Sequence, residues 1–370
     1  MTGNAEVGDR WVISDWGAMS PFGVGRAGFV AGLRAGCPTA APLEADRWRA
    51  PDSVACLVPG FDVRTALGRK GTRAMDRATG LAISAVGDLL REDRCGPVGE
   101  LSESTGIVLG TTMGSAESMM EFTRTSLTAA KPFHVDPADM PSAVMNCAAG
   151  HCAIWHRVKG PNATVAAGRA SGLAALVYAR RLLSNGRAAR VICGAVEEYS
   201  PARSWLEFHT RGGAGQKPLS EGCVVVMLEP ASGRSARRPA LAEVIAVESL
   251  VATGADLGAT VTRCVQRTLD RGGLAPQDIW AVVPGETGTP EAAREREVLG
   301  GLFAPDVFGQ IPPVGVLGDG GAVSGMFQIA MVLGAAEATG RLAGRLALIA
   351  SVDRDASVAC AVLRLAGDPR

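Results

Sequence analysis

The residues that could carry chemistry in this 370-residue chain are nine cysteines, four histidines and an arginine at a strand-to-helix turn. Only Cys147 and Cys152 lie close together, in NCAAGHC, and their spacing is not that of a usual zinc site. Neither follows a strand-to-helix turn, so we expect both to pack as small hydrophobic residues. The odd number and irregular spacing of the cysteines indicate reduced thiols of a cytoplasmic protein. The sequence therefore predicts no metal centre and no bound cofactor.

Arg169 occupies a position that suits a catalytic nucleophile. The segment 163–168, ATVAAG, is typical of a strand of small residues, and 169–186 is an Ala-rich helix that ends at Asn185 and Gly186. A thiolate in the first turn of such a helix would be stabilised by the helix dipole and by backbone N–H groups. An arginine keeps its proton in proteins and cannot act as a nucleophile. Its charge is unfavourable at a helix N-terminus, so we expect it to have a partner or solvent.

The elements around this turn occur twice along the chain. In each half a helix, a strand, a Gly-rich turn and a helix are followed by a Gly-rich elbow, an Ala-rich helix and another strand. This repetition of βαβ type indicates an internal duplication. The join lies near the Pro/Gly/Arg-rich segment 229–240. We predict two intimately packed halves, residues 1–233 and 234–370. Strands are predicted at 11–21, 105–110, 163–168, 190–198, 280–284, 345–351 and 357–365, and helical segments at 68–92, 115–127, 137–158, 169–186, 255–272, 290–303 and 322–338.

Composition and charge exclude several classes of function. Hydrophobic residues make up 47% of the chain and charged residues 20%, as in ordinary globular proteins. The formal net charge of +0 offers no basic field for nucleic acid or anionic lipid. No stretch is expected to reach the roughly 18 apolar residues of a membrane span, and the polar N-terminus lacks the apolar core of a signal peptide. The sequence predicts a cytoplasmic protein that binds neither nucleic acid nor membranes.

The segment 158–176, VKGPNATVAAGRASGLAAL, is similar to the nucleophile elbow of the ketosynthases, thiolase-fold enzymes that condense acyl chains on acyl carrier proteins. In those enzymes a cysteine stands where this chain has Arg169. Segments 75–90 and 140–154 also resemble the family, so that the resemblance covers nearly the whole chain. It implies an α/β, thiolase-like fold of two pseudo-repeated halves packed in five layers, αβαβα. The matching residues of the elbow are Gly160, Pro161, Asn162, Thr164, Val165, Ala170, Ser171 and Gly172.

The resemblance also places the family's other catalytic groups, and this chain lacks them. The segment 282–290, VVPGETGTP, has Gly285 at the position of one histidine, and LGDGGAVSG has Asp319 at the position of the other. The family's lysine corresponds to Val314. In the family the histidines activate malonyl thioester decarboxylation and hold the enolate oxygen; glycine does neither, and a carboxylate would repel the enolate. SVDRDAS, 351–357, replaces the family's Gly-rich gating loop. The resemblance therefore implies no catalytic residues.

These losses imply a chain length factor of a type II polyketide synthase, a ketosynthase-like subunit that pairs with an active ketosynthase as a heterodimer. Arg169 departs from the glutamine usual there, which suggests a divergent branch making reduced or polyene chains. The acyl chain, on the phosphopantetheine of an acyl carrier protein bound through the partner, would enter a tunnel at the interface. The expected tunnel wall is Met113, Ala116, Met119, Met120 and Phe133, with ordinary core packing as the alternative.

Two questions stay open from the residues. The Arg169 side chain either fills the vacated pocket and pairs with Asp319 or Glu286, or points into a wet remnant cavity; burial of an unpaired charge is costly, which favours the pair. The chain could instead be an active acyltransferase or cyclase that uses another nucleophile, such as Ser171 or a cysteine, or a homodimeric scaffold that holds no acyl chain.

Overall fold

The computed structural model describes residues 10–36, 38–73, 75–91, 103–210, 217–232, 239–254 and 256–367. Its strands are β1 (Trp11–Ser20), β2 (Gly23–Val24), β3 (Ala41–Pro42), β4 (Val54–Ala55), β5 (Thr105–Gly110), β6 (Asn162–Val165), β7 (Arg190–Glu197), β8 (Gly222–Pro230), β9 (Ala242–Val251), β10 (Ala281–Val283), β11 (Leu346–Val352) and β12 (Ser357–Leu365). Its α-helices are α1 (Gly25–Ala35), α2 (Val63–Leu67), α3 (Arg77–Leu89), α4 (Ala116–Thr128), α5 (Cys147–His156), α6 (Ser171–Ser184), α7 (Pro201–Thr210), α8 (Leu257–Gly272), α9 (Pro290–Leu302) and α10 (Ser324–Thr339).

The main sheet runs in the order β10-β11-β12-β9-β1-β8-β7-β5-β6, with β2 attached to β1. Among the described residues, its two halves meet only where residues 11–13 of β1 pair with residues 242–244 of β9. In the first half β5 runs parallel to β6 and β7, and β8 is antiparallel to β7 and β1. In the second half β10 and β11 are parallel, and β12 is antiparallel to β11 and β9. The strand order therefore repeats, as the duplicated pattern predicts.

Helices cover both outer faces of the two half-sheets and fill the space between them. Helices α3 and α5 pack on the first half, and α8 and α9 pack on the second. Helix α6 contacts strands of both halves, and α10 packs against α6, β8 and β11. The apolar side chains of α6 and α10 belong to one buried cluster with residues of both half-sheets. The predicted order of layers, αβαβα, is confirmed.

The segment Gly321–Thr339, which contains α10, is long and apolar enough to cross a membrane by length and composition alone. The expectation that no stretch has this length is wrong here, because scattered polar residues such as Gln328 do not bring its mean hydropathy below 1.3. The helix is apolar on every face because it is mostly buried inside the molecule, as core helices are.

The two Ala-rich helices begin in the same way, which supports the duplication. Gly168 and Gly321 both have φ +54°, each opens a short 3-10 turn, and Ser171 and Ser324 begin the helices that follow. Such φ values favour glycine because it has no Cβ. The predicted division between residues 233 and 234 lies outside the described residues and stays a prediction.

The predicted helical segment 68–92 is only partly helical. Helix α3 begins at Arg77, where the side chain of Asp76 accepts a hydrogen bond from the backbone N–H of Thr79. Before it, Gly68 and Gly71 have φ +82° and +81°, values incompatible with a right-handed helix. The apolar periodicity of 77–89 was sufficient to predict the helix but not its start.

Candidate functional site

The elbow that carries Arg169 is shaped by backbone hydrogen bonds and by one glycine. The Ser171 hydroxyl accepts a hydrogen bond from the N–H of Ala167 at 2.8 Å and donates to the carbonyl of Gly168 at 2.6 Å. A Cβ at Gly168 would lie 2.0 Å from the carboxyl carbon of Asp353. The elbow therefore requires glycine at this position, since Asp353 is packed directly against it.

The Arg169 side chain is buried, with 6% of its surface exposed, and lies between two carboxylates. Its Nε donates to Asp319 Oδ1 at 3.1 Å, and its Nη2 pairs with Asp319 Oδ2 in the second arm of a bidentate contact. Its Nη1 lies 3.3 Å from Asp353 Oδ1, and its backbone N–H donates to the same oxygen at 2.9 Å. The expectation of a buried pair with Asp319 agrees with this geometry, and the wet remnant cavity does not.

The charges of this cluster stabilise one another. Burial alone would raise the pKa of Asp319, but the guanidinium of Arg169, together with Arg203 and the N–H of Gly321, brings the pKa below its ordinary value. Burial would likewise lower the pKa of Arg169, and the carboxylates of Asp319 and Asp353 hold it above its ordinary value. Arg169 and Asp319 therefore remain charged at neutral pH.

A second buried arginine, which sequence reasoning missed, holds Asp319 in place. Arg203 on α7 donates to the carbonyls of Glu198 and Ser220 at 2.8 and 2.6 Å and to the carbonyl of Asp319 at 3.2 Å. Glu197, at the end of β7, accepts a hydrogen bond from the N–H of Ala322 at 3.1 Å. Glu197 and Glu198, two consecutive glutamates at the end of a buried strand, were the sequence signal that could have indicated these buried hydrogen bonds.

Asp353 was also missed, although its loop was singled out. It follows β11 within the segment that replaces the family's gating loop, and its side chain also accepts the N–H of Asp355 at 3.0 Å. The Ser351 hydroxyl, two residues earlier, donates to the carbonyl of Arg169 at 2.9 Å. Asp353 and Ser351 thus bind the backbone N–H and the backbone carbonyl of Arg169, respectively.

Gly285 is buried, and the space beside it is taken by a carboxyl group. Its N–H donates to Glu295 Oε2 at 3.0 Å, and a Cβ at Gly285 would lie 3.2 Å from the same oxygen. Burial raises the pKa of Glu295 to about 8, and the nearby charge of Glu286 raises it further. A buried acid of α9 therefore borders the position at which the resemblance places the family's histidine.

Val314 and Glu286 take no part in the arginine cluster. Val314 is buried in the apolar core between the half-sheets, so it offers no donor. Glu286 pairs with Arg296 at 2.9 Å and accepts the N–H of Gly315 at 3.1 Å. Of the two alternative partners predicted for Arg169, Asp319 is therefore the one observed, because the Glu286 carboxylate is held by Arg296 of α9 and by the N–H of Gly315.

The residues expected to line an acyl tunnel differ in exposure. Ala116 is covered by the chain itself, Met113 and Met119 are half-buried, and Met120 and Phe133 are exposed by 42% and 71%. The alternative of ordinary core packing fails for Met120 and Phe133, since neither is buried. Their role as a tunnel wall stays a prediction.

The described residues offer no activated substitute for the missing nucleophile. The Ser171 hydroxyl is engaged by three backbone groups, the third being the carbonyl of Thr111 at 3.2 Å. Burial raises the pKa of each of the seven described cysteines. His156 contacts the carbonyl of Ile83 at 2.9 Å, and burial lowers its pKa. Such groups suit packing better than attack on a thioester.

Comparison with known proteins gives one family. The sequence profile of the β-ketoacyl synthase N-terminal domain matches residues 12–233. The chain is 30% identical over 204 residues to a 3-oxoacyl-[acyl-carrier-protein] synthase 2 of Synechocystis, covering 54% of this chain but about half, 48%, of that protein. It is 27% identical over 330 residues to a polyketide β-ketoacyl synthase 2 of Streptomyces virginiae, covering 81% and 79% of the two chains.

A solved structure described as the ishigamide ketosynthase/chain length factor shares 47% sequence identity with this chain. The superposition has a TM-score of 0.91 and covers 97% of this chain and 100% of the other. This similarity confirms the predicted thiolase-like ketosynthase fold.

The first prediction concerns the stability of the arginine cluster. Arg169→Met leaves Asp319 and Asp353 buried without their cation, so the free energy of unfolding should fall by about 3–5 kcal/mol. Because the Asp319 pKa is lowered in the folded chain, the stabilisation is present at neutral pH and is lost as the pH falls through that pKa. Urea unfolding at pH 7 measures this loss of free energy.

Arg296→Met, which removes an exposed arginine–carboxylate pair, is the control and should cost less than about 1 kcal/mol. Equal losses in the two variants would contradict the assignment.

The second prediction concerns pH. The pKa of Glu295 is raised to about 8, so the folded chain retains a proton that the unfolded chain has lost. Its contribution to stability is complete at acidic pH and is lost as the pH rises toward 8. Glutamine at 295 has no such proton to lose. The free energy of unfolding of Glu295→Gln minus that of the unmodified chain should therefore increase between pH 5 and pH 8.5 in urea titrations. Glu297→Gln, at an exposed position of the same helix, should show a constant difference. A constant difference for Glu295→Gln as well would refute the raised pKa.

Proposed function

Because the chain belongs to the β-ketoacyl synthase family, we propose that it is the chain length factor of a type II polyketide synthase, a non-catalytic subunit that pairs with an active ketosynthase. The observation that carries this proposal is Arg169, held by Asp319 and Asp353 where the family has its nucleophile. An arginine fixed in this way cannot form an acyl-enzyme. The subunit therefore acts on chemistry that its partner performs.

Similarity to known proteins supports the same assignment. The structure with 47% identity is described as a ketosynthase together with a chain length factor, so its complex contains both kinds of subunit. A chain without the cysteine and both histidines corresponds to the second kind. The relative from Streptomyces virginiae is a polyketide β-ketoacyl synthase 2, which fits a polyketide pathway. No feature requires a compartment other than the cytoplasm.

The surface offers a place for the partner on one side of the molecule. Strand β6 ends the sheet, and among the described residues no strand pairs with its outer edge. Such an edge pairs readily with a strand of another chain. Eight of the thirteen large exposed hydrophobic side chains of the described residues fall in the segment 120–155, and a concentration of this kind marks an interaction surface. They are Met120, Leu127, Phe133, Met140, Val144, Met145, Ile154 and Trp155.

Helix α4 is fixed at its start but presents its length to this surface. Glu198 accepts hydrogen bonds from the Ser115 hydroxyl at 3.1 Å and from the N–H of Glu117 at 3.2 Å. Ala116, within this anchored turn, is the only buried residue of the helix, so the rest of its length is not covered by the described residues. We place the end of the acyl tunnel on this helix, with Met120 and Phe133 facing an acyl chain that the carrier protein delivers on its phosphopantetheine through the partner.

The third prediction tests the function itself. Expressed with an active ketosynthase of the same system, the chain should co-purify with it as a heterodimer, and the complex should condense malonyl units from the carrier protein. The chain alone should turn over no malonyl thioester. Arg169→Ala in a complex that still assembles should leave condensation intact, because the partner's cysteine performs it. A stable homodimer with condensing activity would instead favour the active acyltransferase, and a stable inactive homodimer would favour the scaffold.

The fourth prediction tests the tunnel wall. Met120→Trp should shorten the acyl product of the complex, since a larger side chain at the tunnel end stops growth earlier. We prefer Met120 to Ala116 for this test because Ala116→Trp would overpack this chain's own interior. Glu121→Trp, about 100° around the same helix, is the control and should leave product length unchanged. Mass spectrometry of the carrier-bound chains gives the lengths. Equal lengths with Met120→Trp in an intact complex would remove Met120 from the wall.

A further inference from the structure

A cavity with a volume of about 650 Å³ lies at the corner where β1, β9 and β12 meet. Its wall includes the last turn of α6, which lies about 16 Å along the helix axis from Arg169. Four arginines line it, and the only lining carboxylate is that of Glu243. This concentration of positive charge is unusual in a chain whose formal net charge is +0. We call it the arginine cavity, lined by Arg10, Arg180, Arg271 and Arg364.

Arg180 is the most constrained of these side chains. Its Nε is shielded from solvent and has no hydrogen-bond partner. Burial lowers the pKa of Arg180, and the neighbouring charge of Arg271 lowers it further. An unsatisfied buried donor and a like-charged neighbour both cost free energy. An anion placed between the two guanidinium groups would offset both costs.

The nearby carboxylates do not fill that role. Glu243 pairs with Arg364 at 3.1 Å, and Glu248 is shared by Arg271 at 2.6 Å and Arg267 at 3.3 Å. Among the described residues the side chains of Arg10 and Arg180 have no carboxylate partner. The carbonyl ends of α6 and α8 border the cavity, and their partial negative charge eases the presence of cations there. This partial charge does not supply a hydrogen-bond acceptor for the Nε of Arg180.

We propose that the arginine cavity binds a phosphate-type oxyanion, either inorganic phosphate or the phosphate group of a small ester, between Arg180, Arg271 and Arg10. The planar donor fork of a guanidinium matches the oxygens of phosphate, and two or three forks suit a group that carries nearly two negative charges. The volume leaves room for an organic part beside the phosphate. The site is separate from the elbow, and it does not depend on the proposed function of the chain.

The test measures binding of inorganic phosphate, pyrophosphate and glycerol 3-phosphate by calorimetry and by thermal unfolding, with chloride holding ionic strength constant. A ligand of the folded state raises the unfolding midpoint in a saturable way. Arg180→Gln should weaken pyrophosphate binding about tenfold, as loss of a charged hydrogen bond does. Arg181→Gln, the adjacent exposed residue outside the cavity, is the matched control and should bind as the unmodified chain does.

A second readout separates binding from a merely structural role. Without added anion, Arg180→Gln should unfold at the same temperature as the unmodified chain or higher, since it removes an unpaired and repelled cation. A purely structural arginine would give a lower midpoint. If Arg180→Gln fails to fold, Arg10→Gln at the exposed rim takes its place and should also weaken binding.

The relative affinities distinguish a phosphate ester from inorganic phosphate, and two further results would contradict the proposal. Tighter binding of glycerol 3-phosphate than of inorganic phosphate assigns the site to an ester, and the reverse order assigns it to the free ion. Stabilisation that never saturates, or equal dissociation constants for Arg180→Gln and Arg181→Gln, would overturn the site.

Discussion

The ion cluster of Arg169, Asp319 and Asp353 is the constraint on which the central region of this molecule depends. A buried guanidinium is tolerated only where carboxylates meet its donors, and this one is met on two sides. The requirement extends outward, because Asp353 can approach only a glycine at 168, and Asp319 is held through its carbonyl by Arg203. Replacement of a nucleophile thus involved a rebuilt neighbourhood and not one exchanged side chain.

The duplicated architecture explains how three residues so distant in sequence meet. The two elbows lie at the starts of α6 and α10, and these helices pack against each other between the half-sheets. Arg169 lies in the first elbow, and Asp319 comes just before the second. The strand β11 then ends beside both and delivers Asp353. The cluster therefore joins the two halves of the chain at the middle layer, far from the short β1–β9 ladder that joins their sheets.

Much of the fold and part of the candidate site could be predicted from the sequence. The remaining contacts could not, for physical reasons. Periodicity and small-residue strands gave most elements, and the elbow motif gave Arg169, with either Asp319 or Glu286 as its expected partner. Asp353 lies 184 residues from Arg169, and no local pattern reports such a contact. Glu295 lies in the predicted helix 290–303, and only packing shows its carboxyl beside Gly285. The arginines of the cavity lie on three elements and just before β1, so their convergence could not be predicted from spacing.

The buried ions around Arg169 have a consequence for how such a chain evolves. A side chain at 285 requires only a small shift of the Glu295 carboxyl, whereas a cysteine at 169 would leave two buried carboxylates without their cation. An exchange at 169 alone therefore destabilises the fold unless Asp319 and Asp353 change with it. These three positions are epistatic, so that sequence drift at any one of them is limited by the residues present at the other two.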